Sequence, residues 1–174
     1  LGRALTSGIL LATLTKGEER VTVQIIGDGP VGSITVDANG AGDVRGYALR
    51  PQAGADFGAD RHVAAVVGRR GAVNVLRDLG LTELYPGQTA MVTGEVDEDI
   101  EAYLRTSEQV PSALGCDVLL DGGRVVGAAG VLVQALPNSE PDVVREAQHA
   151  LRTGLVTELL AEGIRSARTI AERV

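Results

Sequence analysis

The sequence predicts an α+β fold, an antiparallel sheet built of hairpins and a meander with packed helices, plus a C-terminal helical extension. Three observations carry this. Apolar residues from Leu5 to Leu14 recur at the three-to-four spacing of an amphipathic helix. Three strand-like runs then follow between Val21 and Leu49 with connections of two to six residues. Such connections are too short for the crossovers that parallel strands need. Beyond Pro137 the helical period returns in short runs parted by Gly154 and Gly163.

Taken in order, the first helix carries Leu5, Ile9, Leu10, Leu11 and Leu14 and stops at Lys16-Gly17. Val21 to Ile26 reads as a strand, and Gly27-Asp28-Gly29-Pro30 as the turn after it. Val31 to Asp37 alternates, Asn39-Gly40 is a hairpin signal, and Val44 to Leu49 supplies a third strand. Pro51 to Asp60 is rich in Gly and Ala and reads as a loop. Val63 to Val67, a turn at Gly68 to Gly71, and Ala72 to Leu76 predict a second hairpin. Pro86-Gly87 breaks the chain before a short strand at Thr89 to Thr93.

Asp97-Glu98-Asp99 opens a helix with Ile100, Tyr103 and Leu104 on one face, and first-turn acids suit the positive end of the helix dipole. Pro111 ends that region. Ala113 to Leu120, the turn Asp121-Gly122-Gly123, and Arg124 to Gln134 form a last hairpin. Residues 1–135 then make the body, and residues 136–174 the helical extension.

Composition narrows the function classes. The 174 residues hold 16 Lys plus Arg against 23 Asp plus Glu, a net charge of −7. At 44% hydrophobic and 22% charged the chain is globular in character. Phe57, Tyr47, Tyr85 and Tyr103 are its only aromatics, so aliphatic residues must fill the core. Acidic charge and scarce aromatics argue against nucleic acid as a partner. No apolar run approaches the roughly 20 residues of a membrane span, so no membrane partner is expected. A single cysteine, Cys116, permits neither an internal disulfide nor a cysteine zinc site, and it points to a reducing, cytoplasmic compartment. No targeting leader opens the chain, and the missing initiator Met suggests a piece of a longer protein.

Candidate chemistry is sparse. Gly27-Asp28-Gly29-Pro30 precedes a strand and carries a carboxylate, which favours a turn over a phosphate loop. Glu95, Asp97, Glu98 and Asp99 could hold a cation or form an acid/base pair, yet they lack an EF-hand pattern and suit a solvated helix start. Ser107-Glu108-Gln109 sits where a polar triplet can satisfy a helix end. Ser107 has no flanking elbow glycines, and neither His62 nor His149 stands at a motif position. Cys116 lies in the apolar run Leu114 to Leu120 and reads as buried and inert. Nothing here assembles an active site, so no enzyme is expected and no cofactor.

Several phrases together resemble the redox-regulated holdase chaperone of the heat-shock 33 kDa family. They are Leu11-Ala-Thr-Leu-Thr-Lys16, Gln24-Ile-Ile-Gly-Asp-Gly-Pro30, Val44-Arg-Gly-Tyr47, Leu76-Arg-Asp-Leu-Gly80 and Tyr85-Pro-Gly87. Thr93-Gly-Glu-Val-Asp-Glu-Asp99, Thr106-Ser-Glu-Gln-Val-Pro-Ser-Ala113 and Gly130-Val-Leu-Val-Gln134 continue the set in the same order. The match runs from Leu1 to about Glu162.

The resemblance implies an ATP-independent stress-response and heat-shock chaperone whose partners are unfolded or misfolded client proteins, acting as a homodimer. It also implies N-terminal strands before Leu1, and a linker and four-cysteine zinc domain after Val174. Zinc, disulfides and the redox switch therefore belong to the full-length protein, and Cys116 does not inherit them. A holdase needs broad, undirected apolar contact that stays covered until used. Val23 and Ile25 share one strand face, and Ile34 and Val36 share a face of the next, so these four are candidate client contacts. The alternative is that they simply face the core. Part of the sheet is expected to lie under the linker in the resting full-length protein. The competing function is a cation- or small-molecule-binding α+β domain built on Glu95 to Asp99.

Overall fold

The computed structural model describes residues 1–16, 19–53, 62–78, 80, 85–164 and 166–174. The Gly17 stop and most of the loop expected at 51–60 lie outside them. The chain opens with helix α1 (Gly2–Ala12), which buries Ala4, Ser7, Gly8, Leu11 and Ala12. Strands β1 (Arg20–Gly27), β2 (Ser33–Asn39) and β3 (Val44–Ala48) form the expected meander. Strands β4 (Gly71–Asp78) and β5 (Tyr85–Ala90) extend it on the other side of β1. The sheet order is β3-β2-β1-β4-β5, antiparallel throughout.

Two local expectations are corrected. Val63–Val67 is not a strand but a short helix, α2, and β4 pairs with β1 instead. A run of five apolar residues cannot be assigned from periodicity alone. The deciding group is remote: the Glu95 carboxylate accepts the free N–H groups of Val63 (3.3 Å) and Ala64 (3.1 Å) at the helix start. The strand expected at Thr89 to Thr93 spans Tyr85–Ala90 instead and contains Pro86 and Gly87. An edge strand tolerates Pro on its solvent side. Gly87 passes close over Tyr103, where a Cβ would lie 2.7 Å from Cε2.

Helix α3 (Val96–Thr106) packs against β4, β5 and α1 and buries Ile100, Tyr103 and Leu104 as expected. Strands β6 (Ser112–Asp121) and β7 (Arg124–Gln134) form a separate two-stranded antiparallel sheet. Helices α4 (Pro141–Arg152) and α5 (Leu155–Ala161) pack on that hairpin, and a short helix, α6 (Ala167–Ala171), follows.

Helix α1 lies between the two sheets. A Cβ on Gly8 would meet Val36 Cγ1 at 2.5 Å, so the helix backbone rests directly on β2. On its other side, a Cβ on Gly2 would strike Val118 of β6 at 2.5 Å. Over Ser112 to Asp117 and the β7 residues opposite them, the β6–β7 hairpin therefore has two covered faces, whereas Leu120, Val125 and Val126 near its turn stay exposed. Leu114, Cys116 and Leu132 join the core around α1, whereas Ala113, Ala129, Val131 and Val133 join a second cluster with Val144, Ala147, Leu151, Val156 and Leu160. A position between two helical layers explains why Ala113 to Cys116 and Val131 to Val133 read as continuous apolar runs.

Candidate client-binding surface

Val23, Ile25, Ile34 and Val36 are 1%, 1%, 3% and 1% exposed. At rest they face the core, as the alternative reading had it. Val23 stands opposite Val36 and Val75, and Ile25 opposite Ile34 and Val73, on the sheet face that packs against α1. A client could reach them only if α1 left the sheet.

The opposite face is the open one. Thr22 and Gln24 on β1, Thr35 and Asp37 on β2, Arg45 and Tyr47 on β3 and Leu76 on β4 line a trough of about 660 Å³. Asp37 sits between two cations, accepting from Arg20 (3.1 Å) and Arg45 (2.8 Å). Exposed apolar side chains flank these charges: Ile26, Tyr47 and Leu49 are 44%, 59% and 58% accessible. Strand alternation held the signal, because the residues between Val21, Val23 and Ile25 must point the other way.

A polar junction fastens the helical extension to the body. The Glu101 carboxylate, 4% exposed at the side chain, accepts from the Leu114 N–H (2.7 Å), Gln148 Nε2 (3.3 Å) and Arg152 Nη2 (2.8 Å). Burial pushes the Glu101 carboxyl above its ordinary range, against the pull of the Leu114 N–H and Arg152. Asp117 on β6 accepts from Arg3 (3.0 Å) and from the Thr157 hydroxyl. Its burial works upward, but the bonds from Thr157, the Val118 N–H and Arg3 outweigh it and hold the carboxyl below the usual value. Sequence reasoning singled out none of Glu101, Asp117 or Arg152, and no local pattern marks them.

Two members of the acidic cluster at α3, Asp99 and Glu95, serve the fold. Asp99 is fully buried and accepts the N–H groups of Val92 (2.7 Å), Thr93 (2.9 Å) and Gly94 (3.0 Å). Glu95, besides capping α2, receives Arg3 Nη1 (3.3 Å) and lies 3.4 Å from His62 Nδ1. Among the described residues no group of three or more His, Cys, Asp or Glu is placed to hold a metal. Asp28 accepts the N–H groups of Arg69 and Arg70 and so closes a turn. Glu108 accepts from Tyr103 (2.5 Å) and Arg77 (3.1 Å), while Ser107 caps the end of α3. The Cys116 thiol is buried beside Ser7 Oγ (3.2 Å), and desolvation pushes its pKa up to about 12. It stays protonated and unreactive. No helix among the described residues is long and apolar enough to cross a membrane.

Similarity to known proteins covers the whole length. A family model described as "Hsp33 protein" matches residues 1–174. A 33 kDa chaperonin of Thermoanaerobacter sp. (strain X514) is 44% identical over 168 residues, 94% of this chain and 57% of the relative. A 33 kDa chaperonin of Geobacillus sp. (strain WCH70) is 37% identical over 158 residues, 88% of this chain and 53% of the relative. The crystal structure of the 33 kDa chaperonin (heat shock protein 33 homolog) of Thermotoga maritima matches with a TM-score of 0.76 at 29% identity. That match covers 99% of this chain and 60% of that one. The chain spans little more than half the length of the curated relatives it matches.

Proposed function

This chain belongs to the Hsp33 family, and from that premise we propose that it is the client-binding body of a chaperone that holds unfolding proteins without ATP. The observation that carries this reading is the family match over residues 1–174. The open sheet face supports it physically, because Ile26, Tyr47 and Leu49 offer apolar contact to chains of many shapes. Its partners are unfolded or misfolded proteins, its assembly a homodimer and its compartment the cytoplasm. It is not an enzyme.

Redox control in the full-length protein belongs to a zinc and cysteine module outside these residues, whose linker covers part of the sheet at rest. Among the described residues no group fits zinc, and the one thiol is buried, protonated and bonded to a serine. The test is suppression of aggregation of a chemically unfolded client, with and without peroxide. Equal suppression in both states is expected. No suppression in either state overturns the reading, and a peroxide-dependent gain overturns the assignment of the switch to another module.

A further inference from the structure

Asn39 opens the turn between β2 and β3, and three hydrogen bonds hold its side chain. Its Oδ1 accepts the N–H groups of Ala41 (3.1 Å) and Asp43 (3.0 Å), and its Nδ2 donates to the Asp43 carboxylate (3.1 Å). The Gly42 N–H donates to the Asn39 carbonyl (3.1 Å) and closes a β-turn, whose first position suits an Asn that binds the main chain this way. Gly40 differs. Its N–H takes no partner among the described residues, and residues 40–43 are all exposed to water.

The bond from the Ala41 N–H closes a ring that runs through Asn39 Cγ and the Gly40 nitrogen. The side-chain amide is thereby folded back over the Asn39–Gly40 peptide, and Gly40 has no side chain to block the approach. Attack of the Gly40 nitrogen on Cγ would turn Oδ1 into an oxyanion, and Nδ2 would have to leave as ammonia. Two N–H groups already point at that oxygen. A carboxylate already faces the nitrogen that gains positive charge as it takes up a proton. Asn74 offers none of this, because it precedes Val75 inside an interior strand and its Oδ1 is bound by Gln88 Nε2 (2.6 Å).

We propose that Asn39 is a self-modifying site, at which the native turn promotes loss of the side-chain amide and leaves aspartate or isoaspartate. The Gly40 N–H gives its proton to water or hydroxide, and the bond from the Gly40 nitrogen to Cγ forms. Nδ2 takes a proton from water, the Cγ–Nδ2 bond breaks, and ammonia departs. Water then opens the cyclic imide at either carbonyl, with nothing oxidised or reduced. The new carboxylate stands where an amide now donates to Asp43, and isoaspartate adds a backbone carbon at the end of β2. Either product weakens closure of the β2–β3 hairpin at the edge of the sheet. The site depends on the turn alone, whatever partners the chain has.

The test holds the 174-residue chain at neutral pH beside a synthetic peptide of residues 21–45, the tryptic segment that spans the turn. Samples digested over time are read by mass spectrometry for amide-to-acid conversion at Asn39. Methyl transfer from labelled S-adenosylmethionine by an isoaspartyl methyltransferase counts the rearranged product. Conversion about tenfold faster in the folded chain than in the peptide is expected, because the turn pre-orients the reacting groups. Asn74 should stay unconverted. Asp43→Asn, with circular dichroism unchanged, should slow the folded chain several-fold and leave the peptide's rate alone.

Conversion in the folded chain at or below the peptide's rate overturns the proposal, because the turn then shields Asn39. So does a folded-chain rate that Asp43→Asn leaves unchanged. Amide hydrogen exchange from Val44 to Tyr47 should quicken in the converted chain, and unaltered exchange there overturns the loosening of the hairpin.

Discussion

The guanidinium of Arg152, at the last turn of α4, donates across 2.8 Å to the Glu101 carboxylate on α3, 51 positions earlier. Glu101 is buried and Arg152 half-exposed, so the pair is neither a surface ion pair of negligible worth nor a fully desolvated one. It joins the extension to the body where the apolar cluster of Ala147, Leu151 and Ala113 ends.

Arg152→Ala leaves a buried carboxylate with only the Leu114 N–H and Gln148, and is expected to lower stability by about 1–3 kcal/mol. Glu101→Gln keeps an acceptor for Leu114 and removes the buried charge, so it should cost less. Denaturant midpoints at unchanged m-value measure both. The two variants also differ with pH. Arg152 stabilises only an ionised Glu101, whose carboxyl titrates above its ordinary range. The Arg152→Ala deficit should therefore shrink as pH falls through that raised value. A deficit constant from neutral pH to pH 4 would show that the pair carries no charge-dependent stability.

Asp117 has the opposite sign. Its carboxyl is held below the usual value in the folded chain, so it contributes stability above its ordinary pKa that is lost as pH falls through the depressed one. Asp117→Asn should cost roughly 1–2 kcal/mol at neutral pH and nothing below that lower value. The pH profile of the melting temperature would accordingly lose part of its acid slope. An unchanged slope would exclude Asp117 as a source of acid sensitivity.

Much of this architecture is legible in the sequence where the signal is local. The β6–β7 hairpin announces itself by Asp121-Gly122-Gly123, and both glycines adopt positive φ (53° and 78°) as the turn requires. The α3 boundary follows from its acidic first turn and Pro111. Remote decisions are not legible. Glu95 converts Val63–Val67 to helix from 31 positions beyond Ala64. Pro86 is tolerated in β5 only because that strand falls at a sheet edge, which depends on the order of all five strands. Alternation separates Val23 and Ile25 from Thr22 and Gln24, but which set faces inward depends on where α1 docks. The Glu101–Arg152 and Asp117–Thr157 contacts require the tertiary fold.

Cys116 offers a kinetic check. With its pKa raised to about 12 and its side chain in the core, thiolate is scarce at pH 8 and the sulfur is shielded. Alkylation of the native chain should proceed no faster than unfolding and should become rapid in denaturant. Stopping the reaction with acid at intervals and weighing the products by mass spectrometry gives the rate. Prompt labelling of the native protein would show that the region between α1 and β6 opens far more readily than its packing implies.

The acidic cluster separates a structural role from cation binding. Asp99→Ala strands three N–H groups in the bend before α3, at about 1–3 kcal/mol for each donor left without water. Val92 is 61% exposed, so solvent can reach part of the bend and a net loss of about 2–4 kcal/mol is expected. Glu98→Gln, which removes no such bond, should change stability by no more than about 0.5 kcal/mol. If the carboxylates serve the fold in this way, millimolar calcium or magnesium should leave the melting temperature of the unaltered chain where it was. A metal-dependent rise that Asp97→Asn abolishes would instead return the cluster to a binding role, because Asp97 lines the 260 Å³ polar cavity with Glu95, Glu98 and Asp117.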